Sequence, residues 1–282
     1  MSLPLVSITI TTKNEEKNIA KCLKSIKNQT YPQNKIEIIV VDNNSTDKTK
    51  LIAKRYTSFV FNFGPERSIQ RNFGMLKKSR GKYVMFLDAD MTLSEKLIEY
   101  AVAELENNNF VALYISEEVT GNSFWNKARN FERSFYDGTV IDCVRIIRKD
   151  VFIKTSGFDK SLTGPEDWDL DKRIRSFGKV DLLRSPKAVI YHHESQFNLK
   201  NYLAKKNYYA KSFNKYIRKW GKDNPDIKKQ FGLWYRYFGV FIEKGKWRKI
   251  FSQPMLFLGI SGLRFLIGFV FLKNILSYYK KK

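Results

Sequence analysis

Residues 81–92 read GKYVMFLDADMT, an apolar run at 83–87 that stops at two aspartates, Asp88 and Asp90, separated by Ala89. The run has no polar alternation, which is the pattern of a short strand covered on both faces. Strands of that kind belong to parallel sheets, and open α/β sheets bind ligands at the carboxyl ends of their strands. Asp88 and Asp90 then stand where a divalent cation could bind. The same pair would also serve an ordinary turn, because short acidic side chains bond nearby amides. The rest of the chain chooses between these readings.

Upstream lie three similar runs, LVSITITT (5–12), KIEIIVVD (35–42) and SFVFNF (58–63). Segments of helical length separate them. In EEKNIAKCLKSIKNQ, residues Ile19, Cys22, Leu23 and Ile26 fall on one helical face, and STDKTKLIAKRY offers Ser45 as a cap ahead of Leu51 and Ile52. Strand then helix, repeated, predicts an α/β fold whose sheet is mostly parallel with right-handed crossovers. The strand ends are TTKNE, VDNNSTD, GPERSIQRN and DAD. Neither G-x-G-x-x-G nor G-x-x-x-x-G-K-[ST] occurs, so the dinucleotide and P-loop fingerprints are absent. Four successive ends bearing hydroxyl, amide, carboxylate and arginine make a polar rim the size of a nucleotide.

Downstream, GPEDWDLDKRIRSFG (164–178) puts Glu166, Asp167, Asp169 and Asp171 at a helix start, where the macrodipole alone favours acids. KAVIYHHES (187–195) holds the chain's only histidines, His192 and His193, at the end of an apolar strand, a position suited to a metal ligand. In the segment between, 117–152, Trp125, Phe131 and Tyr136 have helical spacing, which suits core packing better than stacking on a ligand.

The formal charge of +23 is uneven. Residues 196–282 carry 20 Lys/Arg against 3 Asp/Glu and 21 of the 42 aromatics, whereas residues 1–195 carry 31 against 25. Two regions follow: a catalytic body at 1–195 and a basic, aromatic helical appendage at 196–282. Tyr202, Tyr209, Phe213, Tyr216 and Trp220 share a helical face, and GKDNPD (221–226) breaks the helix. Residues 255–272 are apolar apart from Arg264, and a central arginine disfavours a simple span by about 2.5–3.5 kcal/mol. The expected arrangement is therefore peripheral or monotopic, on an anionic membrane surface at the cytoplasmic face. Cys22 and Cys143 read as reduced, buried thiols, and the opening MSLPLVSITI lacks the basic start of a signal peptide.

Together, TTKNEE, VVDNNSTDKT, RSIQRNFG, FLDAD, GFDKSLTGPEDWDLDKRI and VIYHH resemble the family 2 glycosyltransferases, in order and spacing over residues 4–195. The resemblance implies the GT-A fold, a Rossmann-like sheet flanked by helices. It also implies inverting transfer from a nucleotide diphosphate sugar with Mn2+ or Mg2+. It places Thr11, Asn14 and Asp42 at the nucleoside, Arg71 near the base or diphosphate, Asp88 against the ribose or donor sugar, Asp90 on the metal and Asp167 as catalytic base. His192 is favoured over His193 as a further metal ligand. Where the family often has a second acid and a glycine after the first Asp, this chain has Asn43 and Asn44. The implied partners are a nucleotide-sugar donor (UDP- or GDP-linked) and a lipid-linked or glycan acceptor.

Two other functional classes share some of these features. The basic, aromatic tail could bind RNA, but no RNA-binding motif is present and the apolar 255–272 stretch fits nucleic acid poorly. A metal-dependent nucleotidyltransferase could use strand-end acids, yet has no need of the PED helix and the histidines.

Overall fold

The computed structural model describes residues 2–194 and 197–279, with side chains through Phe269. The lysines at 280–282 and the side chains of 270–272 therefore lie outside the described residues. The chain forms two compact units: one from residues 1–118, 142–160 and 166–193, the other from 119–141, 161–165 and 194–282. A single cut at residue 195 thus differs from the observed division, since 119–141 clusters with the C-terminal helices.

Among the described residues ten strands occur: β1 (Val6–Thr12), β2 (Ile36–Asp42), β3 (Val60–Asn62), β4 (Tyr83–Asp88), β5 (Met91–Leu93), β6 (Ala112–Tyr114), β7 (Glu117–Val119), β8 (Val144–Arg148), β9 (Val180–Leu182) and β10 (Ile190–His192). Seven make one sheet in the order β3-β2-β1-β4-β8-β6-β9, and β5-β10-β7 make a second, smaller one. β1 runs parallel to both β2 and β4, and β2 parallel to β3. β8 enters antiparallel between β4 and β6. The sheet is therefore mostly parallel and flanked by helices, as the alternation of strands and helices predicts.

Burial explains the apolar runs. β1 and β4 are central, and their Val6, Ile8, Ile10, Val84, Met85, Phe86 and Leu87 are fully buried. The helix Ile19–Lys27 buries Ile19, Cys22, Leu23 and Ile26, the face its spacing predicts. The neighbouring helix is shorter than expected, Thr49–Ala53, and Ser45 does not cap it. Instead the Thr49 N–H donates to Asp47 Oδ1 at 3.0 Å, while Ser45 turns back to Asp42. Leu51, expected inside, is 58% exposed.

The second unit is helical. Helix Pro254–Tyr279 packs on Phe124–Arg133 and on Leu199–Ala210. The aromatic face expected over 198–220 is split between Leu199–Ala210 and Phe213–Trp220, with Tyr216 fully buried. Phe131 is core, 5.0 Å from the Phe135 ring, and Trp125 stacks on Phe197. Arg264 is buried within this unit, where its Nε donates to Glu132 Oε1 at 2.8 Å and its guanidinium lies 4.3 Å from the Phe241 ring centre. The arginine that made a simple span costly is thus an internal ion pair. Among the described residues no helix is long and apolar enough to cross a membrane.

Candidate active site

Sheet register brings the strand ends level: Thr11 pairs with Asp88 across β1 and β4, and Thr12 with Asp42 across β1 and β2. The loops that follow are clasped together. The Asn14 N–H donates to Ser45 Oγ at 2.8 Å, and Asn14 Oδ1 accepts from the Thr46 N–H at 2.9 Å. Asn14 and Asn44 both take left-handed backbone, φ 55° and 52°, which asparagine tolerates. The departure VDNNS now has a physical reading. Asn44 serves where glycine would supply positive φ, and the Asn43 amide donates to the Pro65 carbonyl, which an ionised acid could not do.

Asp42 is fully buried and lies below the rim. Its Oδ1 accepts from Thr12 Oγ1 at 2.8 Å and from Ser45 Oγ, and its Oδ2 from the Ser45 N–H. It therefore shapes the loop together with the buried Ser45, leaving Asn14 as the exposed member.

Arg71 lies at the centre of the site. It is 1% exposed; its Nη1 donates to Asp167 and its Nη2 to Asp88, each at 3.0 Å. Its guanidinium sits 4.3 Å from the centre of the Phe86 ring. One buried cation so ties the end of β4 to the helix Glu166–Arg175. Sequence reasoning placed Arg71 near the ligand, but the geometry closes it to solvent. Arg67, four residues earlier on the same helix, is the exposed member, 3.2 Å from Glu166 and 3.9 Å from Asp88. Thr11 Oγ1 also donates to Asp88, at 3.2 Å. Burial alone would raise the Asp88 carboxyl, yet Arg71, Arg67 and Arg145 outweigh it and hold the group well below the usual range.

Arg145 was not singled out in the sequence, although an arginine inside the apolar run VRIIR is a signal. It is buried, donates from Nε to Glu117 at 2.6 Å, and lies over Phe86 at 5.0 Å. Glu15 was also missed. Burial, together with the charges of Asp90, Asp88 and Asp47, raises its carboxyl above the usual range against a hydrogen bond from Asn18.

The acids of the PED helix divide by role. Asp169 and Asp171 are buried and pair one turn on with Arg173 and Arg175, and Asp171 also accepts from Tyr114 at 2.6 Å. Glu166 is 2% exposed on its side chain, and burial and Asp167 raise its carboxyl. Asp167 has a quarter of its side chain exposed and is thereby the accessible acid of the four.

Strand β10 lies antiparallel to β5, which sets His192 opposite Met91. His192 Nε2 faces Asp90 Oδ2 at 3.2 Å, whereas His193 Nε2 bonds Thr92 Oγ1 at 2.8 Å. Asp90 Oδ1 is buried and, among the described residues, has no hydrogen-bond partner, an arrangement costly for an anionic oxygen unless a cation meets it. Among the described residues no three His, Cys, Asp or Glu side chains are grouped to hold a metal ion alone. A two-ligand site fits a cation whose shell is completed by substrate phosphates.

The model of glycosyl transferase family 2 matches residues 7–158, more than half of the 282-residue chain. The chain belongs to this family. Among curated relatives of this family 2 member, the glycosyltransferase AglE of Haloferax volcanii is 37% identical over 113 residues, 37% of this chain and 36% of that protein. The beta-monoglucosyldiacylglycerol synthase of Nostoc sp. is 31% identical over 47% of this chain and 31% of its own. The matches thus span about a third of these relatives. Among solved structures, a mannosyltransferase from Pyrobaculum calidifontis in complex with GDP-Man and Mn2+ has a TM-score of 0.63 at 19% identity, covering 100% of this chain and 82% of that one. Residues 1–349 of S. aureus TarS with UDP-GlcNAc give 0.57 at 17%, over 88% and 76%. These likenesses show the GT-A fold.

Proposed function

We propose that this family 2 member is an inverting glycosyltransferase that moves a sugar from a UDP- or GDP-sugar to a lipid-linked or glycan acceptor at the cytoplasmic face of a membrane. The observation that carries this reading is the separation of two acidic sets by one buried arginine. Asp88, Asp90 and His192 stand at the ends of β4 and β10, Asp167 stands on its own helix, and Arg71 bridges Asp88 to Asp167.

In this reading Thr11, Asn14 and the loop shaped by Asp42 receive the nucleoside. Asp88 orients the donor, and Arg67 meets the diphosphate. Asp167, held by Arg71, accepts the proton of the acceptor hydroxyl as its oxygen bonds to the anomeric carbon. The bond to the diphosphate oxygen breaks in the same step, and its electron pair leaves with the nucleoside diphosphate. General-base help of this kind is worth about 10²–10⁴ in rate. Mn2+ or Mg2+ held by Asp90 and His192 would neutralise charge developing on the leaving group. One carboxylate acting as base, with no second acid as nucleophile, accords with inversion.

The membrane part of the reading draws on the second unit, where Leu233, Trp234, Phe238, Phe251 and Met255 are each more than 60% exposed beside many lysines. Aromatic and basic side chains together suit a headgroup layer. The related glucosyldiacylglycerol synthase bears the name of a lipid product, which supports a lipid-linked acceptor.

The test is a thermal-shift screen of UDP- and GDP-sugars with and without Mn2+, since a bound ligand raises stability by mass action. One nucleotide series should raise Tm, and more so with Mn2+. A flat response to all donors overturns the proposal.

A further inference from the structure

The second unit contains a group of cations that its carboxylates do not balance. Arg264 already occupies Glu132, which also accepts from the Tyr136 hydroxyl at 2.7 Å. Arg129 pairs with Glu194 at 2.7 Å, yet its Nε is buried with no hydrogen-bond partner among the described residues. The Arg129 guanidinium and the Lys206 ammonium lie against the same ring, Tyr202, at 4.7 and 5.3 Å from its centre. Arg236 adds a further positive charge, its own carbonyl being taken by Arg264. Burial, then the repulsion of Arg129 and Arg236 against the pull of Glu132, lowers the Lys206 ammonium to about 7. Among the described residues, Arg129, Lys205, Lys206, Arg236 and Arg264 thus stand against Glu132 and Glu194, so positive charge is in excess.

We propose that Arg129 and Lys206, over Tyr202, form a binding site for the terminal phosphate of a membrane lipid. A phosphate monoester carries about −1.5 to −2 at neutral pH, and its oxygens can take the Arg129 Nε–H and the ammonium. A diester, with about one negative charge, would offset less of the excess. The lipid source follows from what flanks the cluster. Phe238 and Phe265, next but one to Arg236 and next to Arg264, are 63% and 60% exposed. The Tyr237 ring, next in sequence to Phe238, lies 5.4 Å from Phe265, and its hydroxyl donates to the Arg264 carbonyl. Charged head and apolar stem are thus both met. The inference rests on the membrane part of the proposed function and is independent of sugar transfer.

The test is co-sedimentation of the full chain with phosphatidylcholine vesicles doped with phosphatidic acid, against vesicles of equal surface charge made with phosphatidylserine. Phosphatidic acid should give at least about tenfold tighter binding, as expected for one further charge-assisted hydrogen bond, with Lys206→Met and Arg129→Gln each abolishing the preference and Lys206→Arg retaining it. Melting curves of the variants in phosphate-free buffer show that they are folded. Binding to both vesicle types without preference, or a preference that survives both substitutions, overturns this inference alone. Failure to bind either vesicle overturns it together with the membrane reading. In a parallel arm, inorganic phosphate is titrated against Tm. A rise lost in Lys206→Met, without a phosphatidic acid preference, assigns the site to free phosphate and overturns the lipid source.

Discussion

At the scale of single residues, Arg71 decides the geometry of the site. Its two ion pairs join residues 17 and 96 positions away, and it is closed to water. Removing one partner of a buried pair is costly because the other charge is left unpaired, so Arg71→Met should destabilise the protein by about 3–5 kcal/mol in urea unfolding. The Asp88 carboxyl is depressed in the folded state, so its stabilising contribution is full above the unfolded value near pH 4 and is lost as pH falls below it. The acid limb of a stability profile should therefore be less steep in Arg71→Met than in the parent. Asp167→Asn keeps the shape and hydrogen-bonding reach of the side chain but cannot take the proton. Turnover should fall by about 10²–10⁴ while donor affinity by calorimetry stays within a few fold. Donor binding lost along with turnover would place Asp167 in substrate binding instead.

At the scale of elements, the helix Glu166–Arg175 shows how one short segment divides its acids. Asp169 and Asp171, about 200° apart around its axis, are each buried against a partner of their own, Asp169 on Arg173 and Asp171 on Arg175 and Tyr114, while Asp167 in the first turn keeps a quarter of its side chain exposed. The helix Pro254–Tyr279 solves a different problem, since it carries Arg264 on an otherwise apolar sequence. The Glu132–Arg264 pair holds it to Phe124–Arg133. Arg264→Leu should cost about 3–5 kcal/mol, and the double variant Glu132→Leu with Arg264→Leu should recover most of that loss, because a buried ion pair is often no better than an apolar pair of similar volume. A double-mutant cycle on Tm reads this directly; simple additivity of the two losses would mean that the pair does not couple.

At the scale of the whole molecule, charge and exposed aromatics segregate to the second unit while the acids of the site segregate to the first. Replacing exposed Trp234, Phe238 and Phe251 by Ser removes apolar area without touching the core. Partition onto anionic vesicles should fall at least about tenfold, given roughly 25 cal/mol for each Å2 withdrawn from water, with Tm unchanged within about 2 °C. Unaltered partition would move the contact to another face. Deleting 198–282 is the less informative variant, since residues 119–141 cluster with those helices and would be stripped of their partners.

The sequence by itself determined the parallel strands β1 to β4 of the sheet, the carboxyl ends at which the polar residues gather, and the family. These are local patterns: unbroken apolar runs form buried strands, and strand polarity fixes which end carries DAD, VDNNS and YHH. It also held the face of helix Ile19–Lys27, because helical period alone selects those residues. Only the tertiary structure decided that Arg71 bridges Asp88 and Asp167, that Arg145 lies beneath them, and that His192 rather than His193 faces Asp90. It alone placed 119–141 with the C-terminal helices and turned Arg264 from a charge in an apolar stretch into half of an ion pair. The physical reason is common to all of these. Local propensity depends on neighbours within a turn or two, whereas the partner of a buried charge is set by which distant segments pack together, and no spacing along the chain encodes that choice.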